Sequence, residues 1–149
     1  MSTAALLAGC GSDTVAVDRF EVGRADRQGC QTLLEDLPES LSDQPRRQVD
    51  GSSYAAAWGD PAIVLRCGVA APEGFDKFSA CQRVNEVDWY VPERTIDDQG
   101  ADVLMTTIGR DPRVELHLPA EHRPPVAALV DVADTVKEHT RRTGGCVDF

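Results

Sequence analysis

The cysteines constrain this 149-residue chain more than any other residue type does. There are five of them, and they are Cys10, Cys30, Cys67, Cys81 and Cys146. No two stand in the Cys-x-x-Cys spacing of a zinc cluster, so they predict no metal site. Because five is an odd number, internal disulfides cannot use them all, and at least one cysteine must have another role.

The first cysteine follows an uncharged segment that resembles a bacterial lipoprotein signal. Residues 7–10 read Leu-Ala-Gly-Cys, similar to the lipobox, in which small residues precede a cysteine whose thiol receives a diacylglyceryl group. We interpret residues 1–10 as the remnant of a signal peptide ending at Cys10, and the polar residues 11–13 as a tether. Only a stub of the apolar region stands before Cys10, so we expect that Met1 is an internal start or that the chain was cut within its signal. Two acyl chains would hold the protein durably at a membrane.

The other four cysteines form an even set. Exported proteins mature in oxidising compartments, so Cys30, Cys67, Cys81 and Cys146 predict two disulfides, with three possible connectivities. The alternative is four buried free thiols. If the export prediction is right, the lipid-bearing cysteine and the two disulfides together account for the odd count.

Charge and length narrow the class of protein. With 15 Lys and Arg against 25 Asp and Glu, the formal net charge is −10. Nucleic acid is excluded as an expected partner, because its affinity comes mainly from Lys and Arg on phosphate. No segment reaches the ~18–20 apolar residues of a spanning helix, so the predicted membrane link is the lipid on Cys10. The length fits a single extracytoplasmic domain over residues 14–149.

Apolar periodicity predicts an α+β fold. Helical stripes run through residues 30–41, after a possible N-cap at Asp26, and through residues 126–136 after Pro124 and Pro125. Alternating residues predict strands over 14–22, 63–69, 84–91, 103–108 and 113–118, with loops over 42–53 and 70–80. We expect an antiparallel sheet with two amphipathic helices packed on one face, and we expect disulfides to cross-link this fold.

The same arrangement suggests a disulfide pairing. If the two helices are antiparallel, the start of the first lies near the end of the second. That would place Cys30 beside Cys146 and leave Cys67 to pair with Cys81. A Cys30–Cys67 disulfide would contradict this expectation.

No sequence motif indicates catalysis. The chain has no Gly-x-Ser-x-Gly elbow, Walker-type loop or dinucleotide fingerprint. His117, His122 and His139 lack the spacing of a metalloprotease, and the acidic run at Asp97, Asp98 and Asp102 lacks the order of an EF-hand loop. We therefore expect no catalytic residue, no metal and no cofactor.

Aromatic residues and one arginine form the candidate partner-binding set. Aromatic and arginine side chains contribute disproportionately to interface affinity. The set consists of Trp58, Arg66, Trp89 and Tyr90. Arg66 is the strongest candidate, because it alternates with the apolar residues of its predicted strand. The alternative is that both tryptophans pack in the core and that Arg66 pairs with a surface carboxylate.

Two blocks of sequence resemble a known family. Residues 56–69, Ala-Ala-Trp-Gly-Asp-Pro-Ala-Ile-Val-Leu-Arg-Cys-Gly-Val, and residues 87–92, Val-Asp-Trp-Tyr-Val-Pro, are similar to DUF3515, an actinobacterial family of secreted proteins and lipoproteins. The resemblance implies an extracytoplasmic location, but no reaction, cofactor or catalytic residue. One departure is Asn85-Glu86, where the resemblance leads us to expect a turn that contains glycine.

These observations lead to an expected function. We expect a lipid-anchored, non-enzymatic binding module on the outer face of the plasma membrane, with an envelope protein or wall component as its partner. The alternative is a small-ligand receptor or envelope enzyme whose pocket the sequence does not reveal.

Overall fold

The computed structural model describes residues 13–146, which form three α-helices and eleven strands. The helices are α1 (Arg27–Glu35), α2 (Glu93–Asp97) and α3 (Val126–His139). The strands are β1 (Thr14–Ala16), β2 (Ser40–Leu41), β3 (Gln44–Asp50), β4 (Ala55–Trp58), β5 (Ile63–Cys67), β6 (Cys81–Val84), β7 (Val87–Tyr90), β8 (Val103–Ile108), β9 (Arg110–Asp111), β10 (Val114–Leu118) and β11 (Arg141–Arg142).

One large sheet organises the molecule. Its strand order is β1-β3-β4-β5-β10-β8-β7-β6, and the short β2 also pairs with β3. β1 and β3 run parallel, and the other pairs of this sheet are antiparallel. β9 and β11 form a separate two-stranded sheet. The predicted α+β class and mostly antiparallel sheet are confirmed, whereas the short α2 was not predicted.

The core lies between this sheet and the two longer helices. In β5 the residues Ile63, Leu65 and Cys67 are buried, as their alternation predicts. α3 starts directly after Pro124-Pro125 and buries the side of the helix that carries Leu129 and Val136. Side chains from α1, α3 and the central strands belong to one apolar cluster, which confirms two helices on one face of the sheet.

Three predicted elements have different bounds. α1 ends at Glu35, before Pro38, which cannot continue a helix, although Leu37 and Leu41 beyond it are still buried. The first strand spans only Thr14–Ala16, not 14–22. The predicted loop over 42–53 contains β3, whose residues are mostly polar and whose partners β1 and β4 lie on either side of it.

The predicted strand over 84–91 is instead part of a hairpin. β6 and β7 pair through a two-residue turn, where Asn85 and Glu86 have φ of 45° and 70°. Positive φ at both central residues is the geometry of a type I′ turn, which matches the twist of the strands that it joins. The turn is therefore present where the resemblance suggested one, but without glycine.

The disulfides are Cys30–Cys67 and Cys81–Cys146. All four cysteines are used, as predicted, but the predicted pairing of Cys30 with Cys146 and of Cys67 with Cys81 is wrong. Cys30 points from α1 into the core, where it meets Cys67 at the end of β5. The chain after α3 continues through β11 to Cys146, which lies beside β6 and not beside α1.

Within residues 13–146, no helix is long and apolar enough to cross a membrane. The predicted lipidation residue Cys10 and most of the predicted tether lie outside the described residues.

Candidate functional site

Both tryptophans of the predicted partner-binding set are core residues. Trp58 and Trp89 have no exposed surface. The indole N–H of Trp58 donates to the Pro38 carbonyl at 2.9 Å, and the Arg46 guanidinium lies 5.2 Å from the centre of its rings. A surface patch that includes either tryptophan is therefore wrong, because each ring packs among the apolar side chains between sheet and helices.

Arg66 and Tyr90 share the opposite face of the sheet. A single cross-strand row, read from the register, contains Ala55, Arg66, Glu115, Thr106 and Tyr90. Neighbouring strands are ~4.8 Å apart, so three strand steps separate Arg66 from Tyr90 by roughly 14 Å. The structure thus keeps two of the four predicted residues on one face of the sheet, but Thr106, which lies between them with Glu115, is buried.

The Arg66 side chain is held by two contacts. Its guanidinium donates to Glu115 at 3.3 Å and lies 5.8 Å from the centre of the Phe20 ring. About a third of the side chain remains exposed. Its buried Nε has no acceptor among the described residues. The contacts orient a cation at the surface while leaving part of it available to a partner.

Tyr90 is partly covered by the loop before β6. The Phe75 ring meets the Tyr90 ring edge-on, with 5.4 Å between ring centres. The next aromatic residue of that loop, Phe78, is 84% exposed. The loop therefore lies against the Tyr90 end of the row.

Two open clefts adjoin the β1–β3–β4 margin of the sheet. One, of about 680 Å³, is lined by Phe20, Tyr54 and polar residues of the 50–53 turn, and the other, of about 900 Å³, by residues of α1 and β3. Val49, Ser52 and Ser53 line both. The sequence predicts a loop over residues 42–53 and gives no signal for either cleft.

Each histidine has a separate partner. His117 Nε2 lies 3.1 Å from an Asp102 oxygen, and His122 Nε2 lies 2.7 Å from the Pro61 carbonyl oxygen. His139 Nε2 lies 2.6 Å from Asp36 Oδ2. Potential ligand atoms of Asp36, Glu138 and His139 lie within 4.8 Å of one another. Because both carboxylates are exposed, this trio by itself supports no assignment of a metal.

A buried carboxylate lies at the far margin of the sheet. Asp88 accepts two hydrogen bonds from the Arg83 guanidinium, at 2.6 and 2.9 Å, and a third from the Cys146 N–H at 3.0 Å. The hydrogen bonds from Arg83 lower the pKa of Asp88, against the opposing effect of burial. The sequence contains no signal for the Arg83–Asp88 pair, because the two residues become neighbours only through the hairpin with its turn at residues 85–86.

Comparison with protein families identifies the chain. The model of DUF3515, a protein of unknown function, matches residues 1–143. The chain belongs to the DUF3515 family. Searches of curated proteins and of solved structures give no significant match. Membership in DUF3515 confirms the resemblance carried by residues 56–69 and 87–92.

Proposed function

We propose that this DUF3515 protein is a lipoprotein on the outer face of the bacterial plasma membrane, held by a diacylglyceryl group on Cys10. The observation that supports this most is the division of the cysteines. Every cysteine among the described residues is in a disulfide, which is compatible with an oxidising, extracytoplasmic location. Cys10, at the end of the lipobox-like tetrad, is the one cysteine of the sequence that belongs to neither of these two disulfides.

Metabolic labelling tests the lipid anchor. In cells given a clickable palmitate analogue, the wild-type protein should become labelled and partition into detergent phase. Cys10→Ala should lose both properties, while the neighbouring control Ser12→Ala should keep them. Labelling of the Cys10→Ala protein, or an unlabelled wild-type protein, would contradict the proposal.

We further propose that the domain binds a partner, an envelope protein or wall component, and does not catalyse a reaction. The sheet face that carries Arg66 supports this role, because about a third of the Arg66 side chain is exposed there. Arg66 is oriented by Glu115 and Phe20 before any partner arrives, so less side-chain entropy is lost on binding. Arginine is enriched among the residues that dominate interface affinity.

Crosslinking in intact membranes tests the binding face. Wild-type protein and the control Arg141→Ala, which changes an exposed arginine of β11 that pairs with Asp111, should give the same specific crosslinked species. Arg66→Ala should reduce that species at least several-fold without changing thermal stability by more than a few degrees. An identical pattern for all three proteins would exclude Arg66 as a contact.

A small-ligand receptor or an envelope enzyme remains the second candidate. The cleft beside Phe20 and Tyr54 has a volume in the range of ligand sites. Its lining exposes more polar than apolar surface and is open to solvent, whereas such sites are mostly concave and apolar. This contrast favours binding at a surface over enclosure of a small ligand.

A further inference from the structure

A cavity at the Tyr90 end of the sheet combines aromatic rings with carboxylates. It has a volume of about 350 Å³ and lies between the loop before β6 and residues 90–93. Two of its lining residues are aromatic and two are acidic, and these four are Asp76, Phe78, Tyr90 and Glu93. We call them the aromatic–acidic cavity. Among the described residues, no Lys or Arg lines it.

A hydrogen-bonded turn in the loop before β6 holds the Phe78 ring in solvent. The Asp76 carboxylate accepts the Phe78 N–H at 2.8 Å and the Ser79 hydroxyl at 3.2 Å. The Ser79 oxygen in turn accepts the Asp76 N–H at 3.0 Å. Such local bonds from an Asp side chain to the backbone stabilise turns. The turn therefore presents a largely exposed aromatic ring, whereas Trp58 and Trp89 are in the core.

Tyr90 supplies the part of the cavity wall that belongs to the sheet. A Cβ on Gly74, which also lines the cavity, would lie 3.4 Å from the Tyr90 hydroxyl oxygen. That hydroxyl therefore lies against the loop that carries Phe78. The Phe75 ring packs edge-on against the Tyr90 ring and helps to fix its position. A group that is already oriented loses less entropy when a ligand binds.

The two carboxylates of the cavity are not neutralised within the domain. Across residues 13–146, neither Asp76 nor Glu93 forms an ion pair. The ammonium of Lys77 lies 5.0 Å from the centre of the Phe78 ring instead. Since Phe78 is largely exposed, its ring keeps open surface beside that contact. The formal net charge of −10 adds a long-range attraction for cations.

We propose that the aromatic–acidic cavity binds a basic side chain of a protein partner. The cationic heads of lysine and arginine carry only N–H donors, which suits two carboxylates and the Tyr90 hydroxyl as acceptors. An aromatic ring attracts a cation that lies within about 6 Å of its centre, and the methylene stem of the side chain packs on apolar surface. Exposed carboxylates alone hold a cation weakly, so the rings favour a cation with an apolar stem over a metal ion. This site rests on the proposed binding role of the domain, but it does not require the contact at Arg66.

NMR titration of the full chain, with both disulfides intact, tests the cavity. Nα-acetyl-lysine methylamide or its arginine counterpart should shift the Phe78 and Tyr90 resonances in a saturable manner. The norleucine counterpart, which has no cation, should not. Asp76→Asn combined with Glu93→Gln should weaken the apparent affinity at least fivefold, and the amide oxygen that replaces the carboxylate can still accept the Phe78 N–H. Phe78→Leu should weaken it at least threefold, because leucine has no ring face.

The matched control is Asp97→Asn combined with Glu121→Gln. Both carboxylates are exposed, and neither lines the cavity. Their replacement removes the same charge as the cavity variant, so it should leave the apparent affinity within about twofold of wild type. If the control weakens binding as much as the cavity variant, binding follows overall charge, and the proposal is overturned. Equal binding of the norleucine compound would also overturn it, because the cation would then not be recognised.

Crosslinking in intact membranes separates failure of this site from failure of the binding role. If wild-type protein gives a specific crosslinked species but neither basic compound binds, the aromatic–acidic cavity is not a recognition site, and the binding role stands. If a basic compound binds saturably at the cavity but no specific species is crosslinked, recognition of the basic group is supported, and the binding role fails. The proposed lipid on Cys10 is unaffected by either result.

Discussion

The two disulfides occupy contrasting environments. Cys30 and Cys67 are fully buried, and their bond joins α1 to a central strand. Cys81 and Cys146 are half-buried at the margin of the sheet, where their bond holds the segment after β11. The sequence separations are 37 and 65 residues. From the entropy of loop closure in the unfolded chain, each disulfide would contribute about 4 kcal/mol to the free energy of unfolding. Loop length therefore does not distinguish the stabilising effects of the two disulfides. Their burial does, because only Cys30 and Cys67 lie in the core.

The largest expected effect is loss of the core disulfide. Replacing Cys30 and Cys67 by Ala should destabilise the domain by the closure contribution of about 4 kcal/mol and by additional lost packing. Replacing Cys81 and Cys146 by Ala should destabilise it by no more than the closure contribution. Denaturant unfolding of both double variants measures the difference. Equal losses, or a larger loss for the Cys81–Cys146 pair, would show that closure entropy outweighs burial here.

A smaller effect is expected where the C-terminal segment touches the sheet. Gly109 has φ of 69°, and a Cβ there would clash with the Gly144 carbonyl oxygen. Gly109→Ala should therefore cost about 1–3 kcal/mol of unfolding free energy.

Gly144→Ala is the matched control for this contact. A Cβ at Gly144 meets no atom within 4 Å, so the change should shift the unfolding free energy by less than about 0.5 kcal/mol. If the two variants are equally stable, the segment near Cys146 is not packed closely against Gly109.

The smallest effect is expected at Asp88, and it should depend on pH. The folded-state pKa of Asp88 is lowered, first by hydrogen bonds from Arg83. Its contribution is therefore present above the unfolded-state pKa of about 3.9 and is lost as the pH falls through the lower folded-state value. Asp88→Asn should cost about 1–2 kcal/mol at neutral pH, and this difference should vanish in strong acid.

Asp111→Asn provides the comparison for Asp88. Asp111 forms an exposed pair with Arg141, and such pairs contribute between zero and about 1 kcal/mol. Unfolding curves recorded across the acid range should therefore show a clear loss for Asp88→Asn and a small one for Asp111→Asn. A pH-independent loss for Asp88→Asn would mean that packing, rather than charge, explains its contribution.

Elements with strong local periodicity were predictable from the sequence. The apolar stripe of α3 and the alternation of β10 give the observed helix and strand. β3 was missed because its polar residues show no single apolar face, and because one of its partners, β1, is distant in sequence. The predicted disulfide pairing was wrong for a related reason, because the observed pairing depends on the path of the chain after α3.

The candidate site was predictable only in part. Trp89 and Tyr90 are consecutive residues of one strand, so alternation alone indicates that they face opposite sides of the sheet. That signal was available and would have divided the four-residue set. The cavity between the β6–β7 turn and β11 had no such signal, because turns and strand pairing bring residues as distant as Arg83 and Arg142 together.

The strand order also sets a distance. β1 stands at one margin of the large sheet, and β6, which carries Arg83, stands at the other. Seven strand steps of ~4.8 Å span roughly 34 Å along the sheet. The three residues from Cys10 to Asp13 extend at most about 11 Å. If Cys10 carries the proposed lipid, the β6 margin would therefore meet the membrane surface only when the sheet lies flat on it.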